Sequence, residues 1–319
     1  MVKKPAPRRA HPIIILSTPR SYSSLACAML GQHPQLYDLL ETQLFEVSTL
    51  QNWWGAYGEI HDSDGLSRSI AEVLLGSQSE MAVTVAREWL WKHRRRKTGA
   101  LAHMLADKLF PLALVEKTPI ESASGAIVRE KLQRRLRTFP RARFIHLVRH
   151  PVSYGRSHLD HLEKMAKTGY PWRIAKRYEM MVDDTQDPPT IDPQVLWFRV
   201  HRQIAAFLEA VPAERKILVR GEDLVSDPDF ELGRIVSAFG LAGDSGAIEA
   251  MKHPDRSPFA CLGPKNARFG GDPKFFREPM LRKTVPERIG LDEPLPWRKD
   301  GARLAKRVVD LAERLGYGR

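Results

Sequence analysis

The sequence predicts an α/β protein in which a central parallel sheet carries helices on both faces, and three observations predict it. Short apolar runs alternate along the chain with longer helical patterns, the rhythm of β-α-β units. The first run, IIIL at Ile13 to Leu16, is continuous rather than alternating, as a strand buried on both faces requires. Four runs are followed by a cation, at Arg20, Lys117, Arg149 and Arg220, the carboxyl edge at which such sheets place ligands.

The elements follow in order. Ile13 to Leu16 reads as a strand, and Ser23 to Gly31 as the helix after it, ended by Gly31 with Pro34 beyond. Between Glu46 and Phe110 the patterns are helical, at Ile70 to Leu75, Val83 to Trp91 and Leu101 to Leu109. Gly55, Gly58 and the turn-forming Asp62-Ser63-Asp64-Gly65 interrupt them. LALVEKTP supplies a second strand ending at Glu116-Lys117, and Ala126 to Arg137 a basic helix. ARFIHLVRHP is a third strand ending at Arg149, and RKILVRGEDL a fourth ending near Arg220. Residues 183–193, DDTQDPPTIDP, read as a surface loop. The last segment is an amphipathic helix with Leu304, Val308, Leu311 and Leu315 on one side.

With 319 residues and 43% hydrophobic content, the chain is long enough for a substantial core. We expect one domain over 1–319, with a helical insertion at about 46–110 and a basic N-terminal extension at 1–11. Fifty Lys+Arg against 38 Asp+Glu give a net charge of +12 and call for an anionic partner. The densest basic run, REWLWKHRRRK, brings no zinc-finger, RNP or recognition-helix signature, so nucleic acid is not the expected partner. It reads as one wet helix face with tryptophans on the other, and peripheral membrane contact stays open. Neither a secretory signal core nor a run of eighteen apolar residues is present, and the expected location is cytoplasmic. Cys27 and Cys261 form neither a disulfide framework nor a zinc cluster, and no metal is expected.

The stretch after the first strand, STPRSYSS, carries the most chemistry. A strand, a tight turn and a helix N-terminus present backbone N–H groups and a positive dipole end to an anion, and Ser21, Ser23 and Ser24 add hydroxyls. The pattern G-x-x-x-x-G-K-[ST] is absent, which argues against nucleoside triphosphate hydrolysis. A helix cap with no ligand is the other reading of the same residues.

Four blocks in this order, STPRSYSSLACAMLGQHPQLYDLLETQLF, VEKTP, RFIHLVRHPVSYGRSHL and GEDLVSDP, resemble the PAPS-dependent sulfotransferases. The likeness is strongest to the sulfotransferase domains of polyketide assembly lines and to the tyrosylprotein sulfotransferases, and it spans residues 12 to 280. The resemblance implies a P-loop-like fold with a helical acceptor-binding cap, PAPS as sulfonate donor and PAP as product. It places Arg20 on the bridging oxygen and 5′-phosphate, with Ser21, Ser23 and Ser24 on that phosphate and Tyr22 beside it. Arg149 and Ser157 look like the 3′-phosphate pair, a spacing from which an arginine and a helix hydroxyl can converge on one phosphate. Within LGPKNARFGGDPKFF, similar to the family's closing loop, Lys265 and Arg268 are further candidates. Catalysis is assigned to Arg20 and Lys117 at the leaving oxygen and to Glu41 as the base, with a helix-start carboxylate as the alternative for Glu41. His146 reads as a core histidine, His150 as a neighbour of the 3′-phosphate pair.

Two departures from the family pattern stand out: Tyr22 occupies the usual glycine after Arg-Ser, and Gly221 the tyrosine of Y-E-D-L. For the acceptor, the aromatics of 46–110, Trp53, Trp54, Tyr57, Trp89 and Trp91, and the segment near 160–195 suggest a cap for an apolar hydroxylated small molecule such as a lipid, terpenoid or polyketide. A carrier-bound β-hydroxyacyl chain is the alternative, and a phosphoryl-transfer enzyme or a non-catalytic polyanion binder are the other function classes.

Overall fold

The computed structural model describes residues 11–58, 61–122, 124–167, 171–283, 285 and 289–318. Apart from His11, the basic N-terminal extension lies outside them. The chain runs β1 (Ile13–Leu16), α1 (Ser23–Gly31), β2 (Leu36–Asp38), then four helices in succession, α2 (Leu50–Tyr57), α3 (Asp64–Leu75), α4 (Glu80–Lys92) and α5 (Thr98–Leu109). Next come β3 (Ala113–Lys117), α6 (Gly125–Thr138), β4 (Arg143–Val148), α7 (Pro151–Ala166), α8 (Pro171–Glu179), the short strands β5 (Val182–Asp183) and β6 (Thr190–Ile191), and α9 (Pro193–Glu209). The remainder is β7 (Lys216–Arg220), α10 (Gly221–Ser226), α11 (Pro228–Ala238), α12 (Ser245–Met251), α13 (Pro273–Arg277) and α14 (Lys306–Arg314).

Five strands form a parallel sheet in the order β2-β3-β1-β4-β7. Central β1 is hydrogen-bonded on both sides, with Ile15 opposite Lys117 of β3 and Leu16 opposite His146 of β4. All four of its residues are fully buried, which is why the run reads as continuously apolar. Its side chains alternate between two cores: Ile14 and Leu16 join α2 to α6 and α9, whereas Ile13 and Ile15 join α1, α11 and α12. Burying each such side chain contributes about 2 kcal/mol, so β1 fixes both layers at once. The connection leaving β1 turns toward β2 and β3, and the one leaving β4 toward β7. The carboxyl ends of β1 and β4 therefore flank the crevice where the strand order diverges, the place such sheets bind ligands.

Two strand assignments need correction. β2, at the edge, has no counterpart among the strands that the sequence predicts, because three residues of which one is the buried Asp38 give no apolar run. Residues 183–193 hold the antiparallel pair β5–β6 rather than a plain loop. The C-terminal amphipathic helix is α14, and Leu304, Val308, Leu311 and Leu315 are buried against α9 and the start of α7. No helix among the described residues is long and apolar enough to cross a membrane.

Candidate functional site

A cavity of about 1010 Å³ opens at the carboxyl edge of the sheet. Its floor is the turn Pro19 to Ser24, which joins β1 to α1. Arg20 and Tyr22 both adopt left-handed backbone (φ 63°) around Ser21. Side chains oppose that conformation by about 1 to 2 kcal/mol each, so the surrounding contacts must hold the turn in shape. No side chain caps α1: Tyr22 occupies the cap position without bonding the first amides, and the helix start is left open beside Ser23 and Ser24. An uncapped N-terminus with hydroxyls beside it suits an anion and not a neutral ligand.

Around this turn the structure gathers several of the residues singled out above. Arg149, just past β4, donates from Nη1 to the Arg20 carbonyl (2.9 Å), and its guanidinium lies 4.7 Å from the Tyr22 ring centroid. Its Nε is buried with no partner among the described residues, a donor that an anion in the cavity would satisfy. Ser157, two turns into α7, receives a bond from Arg20 Nε (3.4 Å), so Arg20, Arg149 and Ser157 line one wall together. The Arg20 guanidinium also pairs with Asp272 at 2.9 Å. Burial alone would raise the Asp272 carboxyl, but the charge and hydrogen bond of Arg20, the Lys274 amide and the Lys117 ammonium hold it below the ordinary aspartate range.

Tyr22 and Gly221 explain each other. A Cβ at position 221 would stand 2.2 Å from Tyr22 Cδ2, so the ring occupies space that any larger residue at 221 would need. The two departures are one exchange: the aromatic ring comes from the β1–α1 turn, and the start of α10 is emptied to receive it.

Glu41 lies in the loop after β2 and not at a helix start, which disposes of the helix-capping alternative. Its backbone is clamped by two glycines. Gly65 sits where a Cβ would meet the Glu41 carbonyl at 2.1 Å, and Gly270, at φ 114°, accepts the Glu41 N–H (2.8 Å) and packs on Gly65. The carboxylate faces the cavity and pairs with Lys117 Nζ at 2.6 Å. Lys117 also donates to Ser24 Oγ (2.6 Å) and is only 3% exposed, behind the cavity wall. It reaches the cavity through Ser24 and Glu41, not directly as expected.

Other expectations are corrected. Lys265 and Arg268 are exposed and lie outside the cavity, because the loop turns inward only from Phe269, where Gly270 meets Gly65. Asp272 and Lys274 line the cavity instead. Arg220 leaves the rim, held by Asp223 (2.5 Å), the Gly316 carbonyl and the Tyr317 ring. His150 caps α7 by accepting from the Val152 N–H (3.3 Å), and burial lowers its pKa to about 4. Of the aromatics in 46–110, only Tyr57 lines the cavity. Trp53 is fully buried and donates to the Thr42 carbonyl, Trp54 and Trp91 pack together, and Trp89 stacks on His93. The tryptophans thus give no ground for an apolar acceptor. The wall beyond Glu41 is mixed: Gln43, Tyr57, the pair Lys131–Glu46 and the pair Arg177–Glu121 (3.3 Å) share it with Ala56, Pro119, Met165 and Met180. Among the described residues no cluster of His, Cys, Asp or Glu has the makings of a metal site.

A family model described as "Sulfotransferase family" matches residues 12–245. Among solved structures, the chain is similar to the sulfotransferase domain from the curacin biosynthetic pathway, at 22% identity and a TM-score of 0.72, over 98% of this chain and 99% of that one. It is also similar to the sulfotransferase domain from the Synechococcus PCC 7002 olefin synthase, at 24% identity and a TM-score of 0.69, over 98% of each chain. At these identities the two structures speak to the fold. No curated protein matches the chain.

Proposed function

This chain belongs to the sulfotransferase family, and we propose that it moves a sulfonate group from PAPS to a hydroxyl of a small acceptor, releasing PAP. The observation that carries the reading is the convergence of the Pro19–Ser24 turn, Arg149 and Ser157 on one cavity, with the Arg149 Nε buried and unpartnered. PAPS supplies an activated sulfonate borne on its 5′-phosphate. Arg20, the open start of α1 and the hydroxyls of Ser21, Ser23 and Ser24 hold that end, while Arg149 and Ser157 hold the 3′-phosphate. Arg20 stabilises charge that builds on the departing oxygen, a contact worth more in the transition state than in the ground state. Glu41 accepts the proton of the acceptor hydroxyl. Lys117 keeps Glu41 and Ser24 in place from behind.

The acceptor sits beyond Glu41, beside α2, α8 and the middle of α6. Paired charges and the apolar side chains of Ala56, Pro119, Met165 and Met180 line that arm together, so the acceptor is a hydroxylated molecule with both polar and apolar surface. The test incubates the protein with labelled PAPS and an extract of its native cell, and identifies the labelled product by mass. A new sulfonated compound with equimolar PAP supports the proposal. PAPS left intact, with magnesium-dependent ATP hydrolysis in its stead, would overturn it.

A further inference from the structure

Four buried side chains form a hydrogen-bonded chain that ends at the cavity floor. His146 Nε2 lies 2.9 Å from His201 Nδ1, His201 Nε2 lies 3.4 Å from Thr18 Oγ1, and Thr18 Oγ1 lies 2.8 Å from Ser21 Oγ. His201, Thr18 and Ser21 are fully buried and His146 nearly so. The elements involved are β4, α9 and the turn after β1, so the chain passes from the sheet interior to the anion cradle. His201 also packs on Trp197 one turn earlier, whose indole N–H donates to the Arg149 carbonyl (2.8 Å). One face of α9 thus touches both the Ser21 turn and the strand end bearing Arg149.

Hydrogen counting gives this chain a direction. A phosphate oxygen only accepts, and a serine hydroxyl has one hydrogen, so a Ser21 that donates to the ligand must accept from Thr18. Thr18 then spends its own hydrogen on Ser21 and must accept from His201 Nε2–H. Burial lowers the pKa of both histidines, His146 to about 3, so each imidazole is neutral and carries a single N–H. With that hydrogen on Nε2, His201 Nδ1 is an acceptor and His146 must supply Nε2–H. No other assignment satisfies every link with an anion bound.

We propose that His201 and His146 are positioning residues whose fixed tautomers, relayed through Thr18, aim the Ser21 hydroxyl hydrogen into the cavity toward the bound phosphate. The inference rests on the reading of the cavity as a phosphate site.

The test uses the full chain with PAP as the probe. Nitrogen-15 NMR of labelled histidine in the PAP complex should show His146 and His201 as Nε2–H tautomers. His201→Phe should weaken PAP binding about tenfold, and His201→Gln, whose amide can still donate to Thr18, should recover most of it. In the Ser21→Ala background the same His201→Phe change should alter PAP affinity less than twofold, since no hydroxyl remains to be aimed. An Nδ1–H tautomer at His201 in the complex, or an equal loss of affinity in both backgrounds, overturns the proposal while leaving the phosphate site intact. Failure of the unmodified chain to bind PAP overturns both together.

Discussion

Gly221→Ala is the smallest change that challenges the site. A Cβ at 221 would lie 2.2 Å from Tyr22 Cδ2 and 3.0 Å from Cε2, and ordinary contact begins at 3.4 Å, so the ring must retreat by about 1.2 Å. It can retreat only along the cavity that it lines, past the Arg149 guanidinium, which stands 4.7 Å from its centroid on a strand end fixed by Trp197. Overpacking of this kind costs about 1 to 3 kcal/mol. In a chain of 319 residues that is a fall in Tm of roughly 1.5 to 4.5 °C. If half of the displacement reaches Arg149, PAP affinity falls about tenfold, the equivalent of 1.4 kcal/mol. The control reverses the sign: with Tyr22→Gly the ring is gone, and Gly221→Ala should become neutral or slightly stabilising, since alanine outranks glycine in a helix by up to about 1 kcal/mol. Thermal melts and PAP titrations of the four proteins complete the cycle. Equal destabilisation by Gly221→Ala in both backgrounds would refute the claim that ring and glycine are complementary.

Glu41→Gln should leave PAP binding intact and lower turnover about a hundredfold or more, read as PAP release; near-normal turnover places the base elsewhere. Lys117→Met should lower kcat more than tenfold and change PAP affinity less than threefold, because Nζ contacts Ser24 and Glu41 and not the cavity; a collapse of PAP affinity contradicts that geometry. PAP should raise Tm more than AMP does, through Arg149 and Ser157, and equal shifts remove the 3′-phosphate assignment. Asp272 is held below its unfolded value, near 4, so its pairing with Arg20 stabilises the fold above that pH and the benefit is lost as pH falls through the lower folded value. The Tm of Asp272→Asn should therefore lie below that of the unmodified chain at neutral pH and converge with it as pH falls below about 4; a difference that stays constant on acidification contradicts the pairing.

What the sequence discloses here depends on whether a feature is local. β1, its turn and α1 are legible because four apolar residues, a Pro-Arg-Ser turn and a glycine stop are contiguous. Arg149 is legible because a strand end fixes its position. β2 is too short to carry a period, and it becomes a strand only because β3 offers it a partner. The choice between Lys265 and Arg268 on one side and Asp272 and Lys274 on the other was not local either. It turns on Gly270 meeting Gly65 across some two hundred residues of chain, a contact with no signature in either segment alone. Tyr22 and Gly221 each look like a defect when read singly, and only their contact makes them a pair. The tryptophans mislead for the opposite reason: an indole buried in a helical core and one lining a cavity leave the same trace in a sequence.

The two cations given catalytic roles are both engaged by carboxylates, and the difference between the pairs bears on how the site would work. Lys117 is almost wholly buried and holds Glu41 and Ser24 at 2.6 Å each, so it has no path to a ligand without taking the wall apart. Arg20 is partly exposed, and its partner Asp272 lies on a loop that lines the cavity. On the proposed function an entering phosphosulfate would compete with Asp272 for Arg20, and the same exchange would leave Glu41 with its lysine. On the proposed reading the base keeps its place throughout, while the leaving-group cation is the one that changes partner.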